Sequence, residues 1–430
     1  MARIVLTTYG SSGDLNPIVA LGLGLQARGH VVLIAVEEAH RPSVAAAGLA
    51  VHPLPGDNET VLLPYRRVLF DNISPIAFTR ILLEHSILPT LRETVDVLRV
   101  ACEGADLLIS TMQQAAAGTV ADVTGLPWVS LALSPLAIPS ASVAPYPLPA
   151  ALPPSVQSVV NRAIWAAARH TGRRLGDEAL NRVRAQYGLP PRRDALLRGN
   201  RSPLLAAVAV SPAFFHPPTD WPPQACTTGF LFWDTPATWA APTALTDFLA
   251  DPRPIIAVSS GSMSPLVGDV FADFYRTSVA AIQRAGARAL VIGASPAALP
   301  EALPANVLTV SFAPFSTIYP RCAAIIHHGG IGTTAQGLRA GTPALVAPWG
   351  VDQHFDAAQV ARLGTGRWLP RRRYTVARAA QVLAELLNQP AYRAQAHVMA
   401  SQIAREDGVA TLCVEIEDIL KRSTKRSNRP

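Results

Sequence analysis

The chain is poor in charge. Only 16% of its 430 residues are Asp, Glu, Lys or Arg, against about a quarter in an average soluble domain. It has four cysteines, Cys102, Cys226, Cys322 and Cys413, far apart and without a C-x-x-C. That spacing argues against a disulfide scaffold or zinc ribbon and fits a cytosolic chain with free, mostly buried thiols. No apolar run approaches the roughly 18 to 20 residues of a membrane-spanning helix. The start, Ala2-Arg3-Ile4-Val5-Leu6-Thr7-Thr8, leads into a glycine turn with no cleavage site after an apolar core, so it is expected to be mature structure rather than a signal peptide. The Walker pattern with its lysine and the G-x-G-x-x-G fingerprint are both missing, which argues against an NTPase or an ordinary dehydrogenase. There is no D-x-D. Basic and aromatic residues do not interleave along a strand face, and no zinc or helix-turn-helix pattern is found, so nucleic acid is not an expected partner.

What the chain does have is apolar content, 49%, suited to parallel strands covered on both faces and to an apolar binding cleft. The length suits two domains of about 200 residues each. Ile4 to Leu6 read as a strand, followed by the turn Tyr9-Gly10-Ser11-Ser12-Gly13-Asp14, a helix on Ile18, Leu21 and Leu25 stopped by Gly29, and a strand from Val31 to Val36. This is a βαβ opening. Further strands are expected at Leu107 to Ser110 and Trp128 to Leu133, with helix between. A stretch rich in Pro, Thr and Trp from Phe215 to Pro242 marks a boundary, and the pattern then restarts: strand at Pro254 to Val258, glycine turn through Gly261 and Ser262, helix from Val267 to Ala285. Strands at Ala289 to Gly293, Val307 to Val310, Ala323 to His327 and Pro343 to Ala347 alternate with helices. The fold class is therefore α/β, with two doubly wound Rossmann-like domains whose ligand loops lie at the carboxyl ends of strands.

The most informative segment is His327-His328-Gly329-Gly330-Ile331-Gly332-Thr333-Thr334, between a buried strand and a short helix. A glycine turn there presents bare backbone N–H groups at the positive end of a helix, where phosphate binds. His328 adds a side-chain donor and the two threonines add hydroxyls, so a diphosphate could be gripped without lysine.

The run from Phe312-Ala313-Pro314-Phe315 through this segment to Gly350-Val351-Asp352-Gln353 resembles the signature region of nucleotide-sugar-dependent glycosyltransferases of the UDP-glycosyltransferase superfamily. The opening Gly10 to Pro17 and the helix ending Ala27-Arg28-Gly29-His30 resemble the N-terminal motif of its bacterial antibiotic, rhamnolipid and sterol members. The middle, roughly Val51 to Pro252, carries little that matches. The resemblance implies the GT-B fold, two such domains facing across a cleft. It implies that His328 contacts the donor diphosphate, with Gly330, Gly332 and Thr333 supplying backbone and hydroxyl donors and Ser262 a second phosphate contact. Phe312 and Ala313 fall where the nucleotide base is met, and Asp352 and Gln353 where sugar hydroxyls are bonded. Asp14 stands where many plant members place a histidine base, with Ser11 beside it.

Each assignment has a plainer alternative. A glycine turn can simply connect a strand to a helix, with its histidines buried and satisfied; His327 is read that way, as part of the strand. An Asp just before a helix is an ordinary N-cap, worth about 1 kcal/mol. A carboxylate of ordinary pKa near 4 would act by taking the proton as the new bond forms. His30 reads as a cap at a helix end, and Arg371-Arg372-Arg373 as a solvated loop. The stretches Phe70 to Leu91 and Leu136 to Leu152 read as walls of an apolar acceptor pocket, or else as surface cover.

The expectation is thus an inverting, metal-independent hexosyltransferase with no cofactor, moving a sugar from a UDP- or dTDP-sugar to a hydroxyl of an apolar small molecule or lipid. Residues 1–218 would bind acceptor, 219–245 link, 246–405 bind donor, 406–422 return as a helix to the first domain, and 423–430 form a basic tail. That tail is expected to be a solvated end, with contact to anionic headgroups at the inner membrane face as the alternative. Two rivals keep the fold: a catalytically silent sugar-nucleotide-binding auxiliary protein, and a nucleotide-sugar epimerase, for which no additional acidic groups are found.

Overall fold

A computed structural model describes residues 1–70, 75–144, 153–195, 198–234, 239–262, 268–300 and 302–427. The chain forms two compact units: Met1–Leu62 with Ser74–Trp233 and Asp407–Pro430, and Leu63–Ile73 with Asp234–Glu406.

The first unit holds seven strands, β1 (Arg3–Thr7), β2 (Val31–Glu37), β3 (Ala50–Leu54), β4 (Leu107–Thr111), β5 (Trp128–Ala132), β6 (Ala206–Val208) and β7 (Ala225–Thr227). They form one sheet in the order β3-β2-β1-β4-β5-β6-β7, parallel throughout. Because side chains alternate across a strand, Ile4 and Leu6 join one core with the helix Ser12–Ala27, while Val5 joins a second core with the helix Leu88–Ala101. Both faces are thus buried, which is why these strands read as continuous apolar runs.

The second unit repeats the design with six strands, β8 (Ile255–Ser259), β9 (Arg288–Ile292), β10 (Val307–Val310), β11 (Ala324–His327), β12 (Ala344–Val346) and β13 (Gly366–Trp368). Their order is β10-β9-β8-β11-β12-β13, again all parallel. Each sheet reverses its winding once, between β1 and β4 and between β8 and β11, and the crevice beyond the strand ends at such a reversal is where doubly wound sheets bind ligands.

The last helix, Gly408–Ser427, packs within the first unit. Leu412, Cys413 and Ile416 are fully buried in the core of the helix Ser12–Ala27. Glycine permits the close approach: a Cβ at Gly24 would fall 2.3 Å from Val409 Cγ1, and one at Gly408 would fall 2.6 Å from the Phe230 carbonyl oxygen. Glu417 Oε1 lies 2.8 Å from Arg28 Nε and 3.5 Å from His30 Nε2, so His30 faces the tail helix besides closing its own helix through N–H donation to the Leu25 carbonyl.

Three expectations about boundaries change. The proposed linker 219–245 contains β7, so the first unit runs to Trp233; three residues in a proline-rich stretch carry too little alternation to be read as a strand. Leu63–Ile73 groups with the second unit rather than the first, where Arg67 pairs with Asp269 at 2.7 Å. Of the helix expected from Val267 to Ala285, Val267 lies outside the described residues, Gly268–Phe271 is a 3₁₀ turn, and the α-helix runs from Ala272. The wall expected at Leu136 to Leu152, like that at Phe70 to Leu91, lies partly outside the described residues. All four cysteines are unpaired and three are buried. Among the described residues no helix is long and apolar enough to cross a membrane.

Candidate active site

The glycine turns of the motifs lie at the two winding reversals, after β1 in the first unit and after β8 and β11 in the second, while Phe312 follows β10 and Asp352 and Gln353 follow β12. In the first unit, β1 ends at Thr7 and the chain turns through Gly10, whose φ of +127° is open to glycine but costly for other residues. Ser11 is the N-cap of the helix Ser12–Ala27: its side chain accepts from Gly13 N–H at 3.2 Å. Asp14 is therefore not the N-cap, as the sequence suggested, but the third residue inside the helix. From there its Oδ2 accepts the Ser11 N–H at 2.8 Å and lies 3.2 Å from Ser11 Oγ, a reciprocal capping box. A Cβ on Gly10 would sit 2.3 Å from Asp14 Oδ2, so the carboxylate rests directly against the bare glycine. Beside the turn, Thr8 and Thr111 hydroxyls meet at 2.9 Å, and Gln114 donates to the Thr8 carbonyl at 3.3 Å, tying the end of β1 to the end of β4.

In the second unit, β11 ends at His327, which is fully buried. Its Nδ1 accepts the Gly329 N–H at 3.0 Å, which puts the proton of the neutral ring on Nε2. His328 follows, half-buried. Its ring lies between two glycines: a Cβ on Gly261 would fall 2.3 Å from Cε1, and one on Gly330 would fall 2.5 Å from Nε2. Any other residue at either position would push the ring aside. Burial drives both imidazoles down, His327 to about 3 and His328 to about 4, so both are neutral at pH 7. His328 Nδ1 has no hydrogen-bond partner among the described residues.

The helix Ile331–Ala340 starts at Gly330, which gives it no side-chain cap, and its first turn holds no acidic residue. Its leading N–H groups therefore lack the internal acceptor that the first unit provides. Gly332 is exposed at this end. Of the two threonines, Thr334 donates its Oγ1–H to the Gly330 carbonyl at 3.1 Å, and Thr333 is 7% exposed. Gly261 has φ +82°, and Ser262 beyond it is exposed. Phe312 shows 53% of its surface, a ring offered to solvent, whereas Ala313 is buried.

After β12 the chain turns through Trp349 and Gly350 into the helix Val351–Arg362. Gln353 Oε1 accepts both the Trp349 and Gly350 N–H groups at 2.8 Å, so its carbonyl end organises the loop and only its amide N–H₂ end can serve a ligand. Asp352 is exposed, and its Oδ1 accepts the Gln353 N–H at 3.1 Å. Desolvation by the surrounding protein raises its carboxyl above the usual carboxylate range, opposed by backbone N–H bonds from Asp352 and Gln353. Gly329, at φ +95°, lets this helix come close: a Cβ there would be 3.0 Å from the Gln353 carbonyl oxygen. Arg371, expected in a solvated loop, instead lies 4.0 Å over the Trp349 ring.

Together the second unit offers oriented dipoles and a neutral imidazole to an anion, with an exposed carboxylate and amide nearby in sequence. The first offers a carboxylate on a helix N-terminus that is already capped. Sequence reasoning missed His40, whose Nε2 lies 2.8 Å from the Gly10 carbonyl oxygen; nothing in the local pattern ties a residue after β2 to the turn after β1. Among the described residues no three His, Cys, Asp or Glu side chains gather as metal ligands would, and Glu417, which with Glu415 has the spacing of a D-x-D, is bonded to Arg28.

The sequence matches the glycosyltransferase family 28 N-terminal domain over residues 4–109 and the erythromycin biosynthesis protein CIII-like C-terminal domain over 287–417. It is 34% identical to O-mycaminosyltylonolide 6-deoxyallosyltransferase of Streptomyces fradiae over 97% of both chains. It is 28% identical to the sterol 3-beta-glucosyltransferase of Neurospora crassa, over 95% of this chain but only 27% of that protein. Among solved structures, spinosyn forosaminyltransferase SpnP superposes with a TM-score of 0.72 at 17% identity, covering 98% of this chain and 99% of its own. The glycosyltransferase VinC in complex with dTDP superposes with a TM-score of 0.66 at 21% identity, covering 99% of this chain and all of its own. With both sheets wound as that fold requires and a relative above 30% identity along the whole chain, the protein is a glycosyltransferase of the GT-B fold and belongs to the UDP-glycosyltransferase superfamily.

Proposed function

We propose that the protein is an inverting hexosyltransferase that moves a sugar from a UDP- or dTDP-sugar to a hydroxyl of an apolar small molecule or lipid, without a metal or cofactor. The observation that carries this reading is the uncapped start of the helix Ile331–Ala340, with His328 set between Gly261 and Gly330. The leaving diphosphate develops negative charge as the C1–O bond breaks, and fixed dipoles aimed there stabilise it without reorganising. His328 donates to a diphosphate oxygen, helped by the N–H groups of Gly330, Gly332 and Thr333 and by Ser262. The exposed ring of Phe312 receives the base, with Ala313 behind it. Asp352 accepts from sugar hydroxyls and Gln353 donates through its Nε2. The acceptor oxygen forms the new bond to C1 opposite the leaving group, which inverts that carbon, and its proton passes to Asp14, with Ser11 holding the carboxylate. The dTDP in the VinC structure supports a nucleoside diphosphate as the donor's leaving group. The sterol and tylonolide named for the relatives support an apolar alcohol as acceptor.

The test is product analysis with UDP-glucose and dTDP-glucose against cholesterol and a hydroxylated macrolactone, in EDTA. The expected product is a β-glucoside from the α-linked donor. A retained anomer would overturn inversion, and activity lost in EDTA and restored by Mg²⁺ would overturn metal independence. Nucleotide binding with no transfer would point to the auxiliary protein, and an epimerised donor to the epimerase.

A further inference from the structure

The carboxylate of Asp14 is bonded to the loop that precedes its helix. Both of its bonds from Ser11 fall on Oδ2, and the same atom occupies the space a Cβ on Gly10 would need. Where Gly10 and Ser11 sit therefore bears directly on where Oδ2 sits. The Gly10 backbone is at φ +127°, a conformation that glycine can also leave easily because its alternatives cost little. Something outside the loop has to hold it.

His40 does so. It lies 5% exposed at the turn Glu38–His40 that ends β2, and its Nε2 meets the Gly10 carbonyl oxygen at 2.8 Å across 30 positions of sequence. A carbonyl only accepts, so the ring must donate Nε2–H. Tyr9, one residue earlier, is fixed from another direction by its hydroxyl donating to Ser86 Oγ at 2.8 Å. Ser86 in turn donates to Asn58, and Asn58 to Glu37 at the end of β2. The loop is thus pinned on both sides of the Tyr9–Gly10 bond, and the pin nearer Asp14 is a single imidazole. We infer that His40 is a positioning residue for proton transfer: by holding the Gly10 carbonyl it fixes the capping box that aims Asp14. The inference rests on the reading of Asp14 as base.

The experiment compares His40→Phe, which keeps the ring's volume but not its donor, with His40→Gln, whose amide N–H₂ can reach the same carbonyl. Amide hydrogen exchange over the peptide Tyr9–Leu15 reads the loop directly and needs no substrate. His40→Phe should speed exchange there at least tenfold, and His40→Gln should restore protection. Turnover is read with whichever glucose donor and alcohol from the screen above react fastest. His40→Phe should lower kcat roughly 10-fold to 100-fold, as a misplaced catalytic group does, while dTDP and UDP affinity change less than twofold and His40→Gln recovers most of the loss. In an Asp14→Asn background His40→Phe should cost almost nothing more. Unchanged exchange in the loop of a folded His40→Phe protein would overturn the inference, as would losses that multiply in the double variant. Near-normal transfer by Asp14→Asn alone would instead sink the base assignment, whatever His40 does.

Discussion

The two glycine turns are built alike and finished in opposite ways. Each follows the strand at a winding reversal, each carries a glycine at positive φ, and each opens a helix. The first helix has Ser11 as cap and Asp14 at its third position, so its own side chains answer its leading N–H groups and its positive end. The second has Gly330 as cap and Thr333 at that same third position, so the N–H groups and the dipole are answered by no side chain of the loop. A helix that supplies its own anion has little left for a phosphate; one that supplies none is suited to bind it. The difference of one carboxylate thus separates a turn that answers its own helix end from a turn that leaves it open.

The sharpest way to break this comparison is to remove the carboxylate from the first turn. Asp14→Asn keeps an oxygen to accept from Ser11 but cannot take a proton, so transfer should fall roughly 100-fold or more with nucleotide affinity unchanged. Steady-state rates at saturating donor and acceptor decide it, and near-normal transfer would leave Asp14 a capping residue only.

His328→Ala should cost roughly 100-fold in turnover, the scale of one lost oxyanion donor. If calorimetry with dTDP and kinetics both show no change, the imidazole has no part in holding the diphosphate.

Moving the carboxylate tests the comparison itself. Thr333→Asp gives the second helix the acid of the first, at the matching position, and should weaken dTDP and UDP binding about 10-fold to 100-fold through self-capping and like-charge repulsion. Undiminished nucleotide binding by a folded Thr333→Asp protein would mean that the diphosphate sits elsewhere. Gly261→Ala should weaken binding by about tenfold, because its methyl group enters the His328 ring and misplaces a donor; an unaltered affinity would show that the ring can move without loss.

The smallest effect is on stability against pH. His327 and His328 are held neutral, with pKa values of about 3 and 4 below the free value of 6.5. Between those values the unfolded chain binds more protons than the folded one, so stability is full above about pH 6.5 and declines as pH falls toward 4. For the partly exposed His328 the share is on the order of 1 kcal/mol, or about 2–4 °C in melting temperature. His328→Ala should flatten that part of the slope, and an equally steep decline in the variant would place its cause elsewhere.

Several features were legible because they are local. β1, β2, β4 and β5, and β8 to β12, are apolar runs bounded by turns, and burial on both faces makes such runs visible without neighbours. The glycine and histidine pattern from His327 to Gly332 carries its own geometry, since a strand that must stop and a helix that must start leave few conformations between. β3, β6, β7 and β13 were not read because they are short or interrupted by His52 and Pro53, and their strand character comes from the neighbour they pair with.

What the sequence determined by itself, then, was the α/β class, the two strand–turn–helix devices and the residue types within them, all set by short-range periodicity and backbone preference. Only the tertiary structure decided that Ser11 rather than Asp14 is the cap, that Gln353 gives its carbonyl to the loop, that Thr334 bonds inward, and that His40 meets Gly10. Each of these depends on which donor faces which acceptor, a choice made by packing between atoms that spacing along the chain does not bring together.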